Sequence, residues 1–409
     1  MAIISAFRGL RPKKELASRV ASVPYDVVNS SEARALADKN PYSFLHITKA
    51  EIDLPEGTDI HSDKVYHKAA DNLFIFQDSK ILIQDESPAL YIYELTMAGK
   101  KQTGLVCVSS VEDYDNNIIR EHELTRPEKE MDRINHMRIT GAQTGNVFLA
   151  YKSNVILSQI ISIWKEAHEP VNDFIAEDGI AHRVWMINDP QTTREITMIF
   201  QNQIPYTYIA DGHHRAASAA KVKKALGEEA SPEAGYFLTT LFPHDELHIM
   251  DYNRVAKDLN GMTALQFLEK LNKNFQVEKT GTAFSPDRLH VFGMYLDGIW
   301  YRLEAKKNSY PIDPIGILDV SILQDNILSP LLGIKDPRTD NRIDFVGGIR
   351  GINELEKKVN SGQMKVAFSL YPVSMEQLFD IADSGQIMPP KSTWFEPKLR
   401  DGLLTHLIR

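Results

Sequence analysis

Apolar residues at Val155, Ile156, Ile160, Ile161 and Trp164 recur at the spacing of one helix face, which predicts a helix over 154–168. A second helix is predicted over 62–76, and the alanine- and lysine-rich stretch 216–226 favours helix by intrinsic preference. Ser30 and Ser31 can cap a helix over 32–39 that Asn40-Pro41 stops. Thr125-Arg126-Pro127-Glu128 has capping-box spacing with proline in the first turn, and predicts a helix running to Thr140 and ending at Gly141. Strand patterns occupy 42–47, 81–84, 90–96, 103–109, 146–151, 183–188, 195–201 and 204–210. Asp297-Gly298, between apolar runs 289–296 and 299–303, is a strong hairpin signal. Two further helices, 317–332 and 374–383, bracket a strand at 365–370. Strands and helices interleave irregularly, so the pattern predicts an α+β fold of mixed sheets with flanking helices rather than a doubly wound one.

At 409 residues the chain exceeds what one core usually serves. The expected division is an N-terminal α+β region (1–110), a core region (111–260) and a C-terminal α+β region (261–409). The start, Met-Ala-Ile-Ile-Ser-Ala-Phe-Arg, lacks the apolar core of a secretory signal, and no run approaches a membrane span. The single cysteine, Cys107, excludes an intramolecular disulfide and any CxxC metal site; within Leu-Val-Cys-Val it reads as a buried, inert thiol. Cytoplasm is the expected compartment. The net charge of −9, from 55 acidic and 46 basic residues, argues against a nucleic-acid surface but leaves room for a locally positive pocket.

Candidate chemistry concentrates at Ala210-Asp211-Gly212-His213-His214-Arg215. A strand delivers the chain to Asp211, a good N-cap, and to Gly212, which permits a sharp turn. Three basic or ionisable residues then open a helix whose N-terminus already carries about +0.5 charge, a conflict that a bound anion would remove. The plainer alternative is a cap at Asp211, neutral histidines and an outward Arg215. A histidine metal site is weaker, because adjacent helical histidines diverge by about 100° and no third ligand is evident. A second candidate segment is Arg120-Glu121-His122-Glu123-Leu124-Thr125, whose carboxylates stand before the predicted 125–140 helix. Pro390-Lys391-Ser392-Thr393 imitates the end of a P-loop, but no glycine precedes Lys391.

Six motifs stand in one order: Pro24-Tyr25-Asp26-Val27-Val28, Asn40-Pro41-Tyr42-Ser43-Phe44-Leu45, His122-Glu123-x-Thr125, the 210–215 segment, Leu318-Asp319-Val320-Ser321-Ile322-Leu323-Gln324 and Met388-Pro389-Pro390-Lys391-Ser392-Thr393. In this the chain resembles the "domain of unknown function 1015" family over about residues 3–406. That family is similar to the ParB/sulfiredoxin superfamily, in which a strand-turn-helix holds nucleotide phosphates, and its relatives include kinases that phosphorylate free L-serine with ADP or ATP. The resemblance implies that 111–260 is a ParB/sulfiredoxin-like core. It implies a phosphate-binding role for Gly212, His213, His214 and Arg215, a catalytic and Mg²⁺-holding role for Asp211, and a base at Glu123 or Glu121, with Glu123 the better match. The function it implies is nucleotide-dependent phosphorylation of a small hydroxyl substrate, free serine first. The alternative is a non-catalytic nucleotide- or phosphate-sensing protein.

Overall fold

The longest apolar runs become the strands of a nine-stranded mixed sheet in the computed structural model, which describes all 409 residues. In spatial order its main path is Ile119–Arg120, Thr207–Asp211, Val147–Tyr151, Tyr236–Pro243, Lys100–Ser110, Leu90–Met97, Ala181–Ile187 and Asn172–Ile175, with Ile4–Ser5 pairing onto Lys100–Ser110. Two pairings are parallel, Thr207–Asp211 with Ile119–Arg120 and Tyr236–Pro243 with Val147–Tyr151; the others are antiparallel. The stretches 90–93, 105–108 and 147–151 of the central strands are buried at every residue, which is why they read as unbroken apolar runs. Leu105, Cys107, Leu149, Ile209 and Phe237 belong to one core with Ile196, Phe200, Ala216 and Val222 from the covering helices. Cys107 is wholly buried, and burial pushes its thiol up to about 12, the inert state expected of it.

The contacts divide the chain into two compact units, Met1–Leu247 with Pro397–Arg409, and His248–Glu396. The three successive regions expected from the sequence are therefore not the packing units. The boundary at 110 fails because Lys100–Ser110 pairs with Tyr236–Pro243, far beyond it. The boundary at 260 fails because Tyr252–Ala256 pairs with Ile343–Gly347 and Val366–Ser369. The chain's final segment returns to the first unit: His406–Leu407 pairs with Ala142–Gln143, and Asp401 bridges Ser22.

The second unit is built on a six-stranded antiparallel sheet, ordered Phe275–Thr280, Ile299–Ala305, Val291–Leu296, Val366–Ser369, Tyr252–Ala256, Ile343–Gly347. Alternate residues serve opposite faces: Ala256, Met294 and Phe368 join one core, Val255, Tyr295 and Ala367 the other. Its Asp297-Gly298 turn has positive φ at both positions, 49° and 80°, as a tight hairpin requires.

Three elements differ from their expected forms. Residues 195–201 lie within the Pro190–Gln203 helix: Asp189 caps it by accepting from the Thr192 N–H at 2.7 Å, and Ile196, Ile199 and Phe200 form its buried stripe. Residues 42–47 lead through a turn into the short Leu45–Thr48 helix instead of forming a strand, with Phe44, Leu45 and Ile47 all buried. The predicted 317–332 helix is the short Asp319–Leu323 helix continued by a π-turn over Gln324–Leu328. No helix is long and apolar enough to cross a membrane.

Candidate functional site

The Thr207–Asp211 strand carries a register shift between Ile209 and Asp211, which re-aims the chain just before the helix His213–Leu226 begins. Gly212, not Asp211, is the N-cap residue. Its φ of 103° lies in the left-handed region, and a Cβ there would stand 3.2 Å from Arg215 Nε and 3.4 Å from the Val147 Cα. Asp211 ends the strand and makes no side-chain cap. Opposite, the helix Pro127–Thr140 has Arg126 as its N-cap and Pro127 in its first turn, and ends at Gly141 with φ 67°. Thr125 does not complete the expected capping box, because its hydroxyl donates to Glu130, which also pairs with Lys221.

The loop 120–126 closes over the start of the His213–Leu226 helix through the two histidines. The His122 N–H donates to His213 Nε2 at 3.4 Å, and the Arg126 N–H donates to His214 Nε2 at 2.9 Å. A ring nitrogen that accepts is unprotonated, so each neutral imidazole carries its proton on Nδ1. Burial lowers both rings' proton affinity, that of His213 well below the usual value, with charge from His122 adding to the effect. His122 meets His213 edge-on at 4.6 Å between centroids, and burial holds it down at about 4. The histidines are thus neutral acceptors that fasten the loop, not the cations a phosphate would otherwise meet.

His213 Nδ1 faces the Glu123 carboxylate at 3.9 Å, and that side chain is 47% exposed. Glu121 is turned away, half-buried, accepting from the Tyr114 hydroxyl at 2.5 Å; burial raises its carboxyl. Of the two glutamates, only Glu123 stands with the 210–215 segment.

Arg215 points inward. It is buried, donates to the Asn146 carbonyl, and its guanidinium lies 3.6 Å from Asp26 and 3.7 Å from Asp211. Burial opposes its charge, but Asp26 and Asp211 more than offset that and hold it protonated. Burial would raise Asp211, yet Lys398 at 3.2 Å together with Arg215 holds its carboxyl far below the ordinary range. Mg²⁺ does not fit Asp211 as it stands: its carboxylate is already spent on two cations, and no group of three or more His, Cys, Asp or Glu side chains that could hold a metal exists. Asp401 is the third acid here; burial pushes it up to about 7 against the pull of Arg215. Beneath lies a cavity of about 20 Å³, lined by Tyr25, Arg133, Gln143, Gly145 and Arg215 among others, room for about one water.

The residues that sequence reasoning missed here are Asn146, Lys398 and Asp401. Asp26 stands in the 24–28 motif, but nothing local in the sequence links it to Arg215. Burial lowers the proton affinity of His214, and the charges of Lys129 and Arg126, exposed beside it, lower it further.

A family model described as "Protein of unknown function (DUF1015)" matches residues 4–321. No curated protein matches the chain. Solved structures with similarity to it include a free serine kinase in complex with AMP, 12% identical with a TM-score of 0.37, covering 74% of this chain and 91% of that one. Another is SbnI with C-terminal truncation from Staphylococcus aureus, 11% identical with a TM-score of 0.40, covering 74% and 87%. A conserved hypothetical protein from Pyrococcus furiosus is 12% identical with a TM-score of 0.37, covering 74% and 94%.

Proposed function

This chain belongs to the DUF1015 family of proteins of unknown function, and from that premise we propose that it is a nucleotide-dependent phosphotransferase acting on a small hydroxyl substrate, with free L-serine the first candidate. The observation that carries the reading is the exposed Glu123 carboxylate held 3.9 Å from the neutral His213 at the opening of a helix. Phosphoryl transfer asks a protein chiefly for positioning, charge neutralisation and a proton acceptor. Glu123 takes the proton as the substrate hydroxyl oxygen bonds to phosphorus and the bond from phosphorus to the nucleotide's leaving oxygen breaks. ATP would leave as ADP, or ADP as AMP. His213 Nδ1–H faces the carboxylate from behind and closes to hydrogen-bond reach when substrate binds. The first free N–H groups of the His213–Leu226 helix and its dipole favour the phosphates, and the exposed Arg126 and Lys129 supply the cations that the inward-turned Arg215 does not. Gly212 and Arg215 act by holding the turn.

The inward pairing of Arg215 and Asp211 favours a second reading, a protein that binds nucleotide and does no chemistry. One assay separates the two. Purified protein with ATP or ADP, Mg²⁺ and L-serine should yield O-phosphoserine, and Glu123→Gln should lower turnover by about 10²–10⁴ with nucleotide affinity nearly unchanged. Nucleotide binding without phosphorylated product from any hydroxyl amino acid would favour the sensor.

A further inference from the structure

Arg254 lies on the Tyr252–Ala256 strand of the second unit and is 4% exposed. Its guanidinium donates to the main-chain carbonyls of Tyr252, of Lys391 at 3.0 Å and of Pro390 at 3.5 Å. These acceptors satisfy donors but carry no countercharge. The acids on neighbouring elements are turned to other partners: Asp251 accepts from Asn253, Asp344 pairs with Lys358 at 3.1 Å, and Glu396 accepts from the Trp394 indole at 3.0 Å. Burial consequently pulls the Arg254 pKa down to about 10, with only Tyr252 opposing it. Buried charges in proteins are ordinarily paired, because desolvation is costly otherwise.

The loop that Arg254 holds is the 388–393 motif, which the site in the first unit does not use. Lys391 sits there with φ 59°, a left-handed conformation uncommon for a side chain with a Cβ, over a turn closed by the Ser392 hydroxyl donating to the Pro389 carbonyl at 2.6 Å. Lys391 is exposed. Its ammonium and the Arg254 guanidinium lie 5.7 Å and 6.0 Å from the Tyr252 ring centroid, and the guanidinium is 5.4 Å from that of Phe345. Two cations thus share an aromatic patch that supplies no carboxylate.

We infer that Arg254 and Lys391 form an anion site in the second unit, taking a phosphate dianion, either inorganic or as the monoester of a small molecule. Two positive charges match a dianion better than they match the single charge of a carboxylate. The bound anion gives Arg254 the countercharge that the protein omits.

The test is amide hydrogen exchange on the full chain, titrated separately with inorganic phosphate, glycerol phosphate and acetate. Exchange resolved to residues 388–393 reads this site apart from any binding in the first unit. The expected result is saturable slowing there with phosphate, glycerol phosphate or both, which tells free phosphate from monoester, and none with acetate at equal concentration. Lys391→Ala, an exposed change that leaves the core alone, should weaken that effect roughly 10- to 150-fold, the loss of one charge-assisted contact. Arg254→Gln should abolish it if the variant folds; if it does not, Lys391→Ala decides. No slowing, slowing by acetate as strong as by phosphate, or an unchanged midpoint in Lys391→Ala overturns the assignment.

Discussion

Three carboxyl groups surround one guanidinium at Arg215, and they do not share its charge equally. Asp211 also has Lys398, which with Arg215 keeps it ionised, and Asp26 is 34% exposed. Asp401 is buried with one carboxyl oxygen lacking a hydrogen-bond partner, and it keeps its proton to about pH 7. The folded chain therefore holds a proton that the unfolded chain, titrating near 3.8, releases. Stability from this group is fully present below the unfolded value and is lost as pH rises through 7, by about 4 kcal/mol at most. Asp401→Asn cannot titrate, so its stability relative to wild type should rise by at least about 1 kcal/mol between pH 5 and pH 8 in denaturant melts. A difference independent of pH would mean that the carboxyl is ionised in the fold. None of this was legible in the sequence. The 210–215 segment announced a turn and a helix start, but the partners of Arg215 come from positions 26, 146, 211 and 401, and only the third is local. The acceptor role of the two histidines was hidden for the same reason: it depends on backbone N–H groups of a loop remote in the chain.

At the scale of elements, patterns that fixed their own geometry were legible and those open to two periods were not. Gly141 closing the Pro127–Thr140 helix and the Asp297-Gly298 hairpin both rest on positive φ, which few residues tolerate. By contrast, Ile196, Met198 and Phe200 alternate like a strand, while Ile196, Ile199 and Phe200 fit a helix; the Asp189-Pro190 start decides for the helix. The strand-turn-helix at the site depends on Gly212 in both respects, backbone and space. Gly212→Ala forces a Cβ into left-handed backbone at roughly 1–2 kcal/mol and presses it on Arg215 and Val147. Gly179, with φ 80° and nothing within 4 Å of a Cβ, provides the control for the backbone part alone. Calorimetry should give Gly212→Ala the larger drop in Tm, about 3–8 °C at some 2–4 °C per kcal/mol for a unit of this size. Equal drops would indicate that the turn is not packed as closely as its geometry requires.

For the whole molecule, the sequence conveyed that one core would not suffice, but not that the first unit is discontinuous. Contiguous division is the natural reading when no linker or composition shift marks an excursion, and the closing residues carry no periodicity long enough to assign. Yet Leu399, Leu403, Leu404 and Ile408 are all buried, and His406 pairs with Glu233 while Lys398 pairs with Asp211. Fully burying four such apolar side chains contributes about 6–12 kcal/mol, the order of a domain's entire stability. The same segment supplies Lys398 and Asp401 to the candidate site, so completion of the first fold and of its site depend on the last residues of the chain. A chain ending at Glu396 should consequently lose the first unit's cooperative transition and become sensitive to limited proteolysis across 1–247. The second unit has its own six-stranded sheet and cores, and the fragment 248–396 should fold alone, with dispersed amide resonances and a cooperative melt. Should the truncated chain instead keep both transitions and resist protease, the closing segment would be an accessory layer, and its cations would not be needed to hold Asp211 in place.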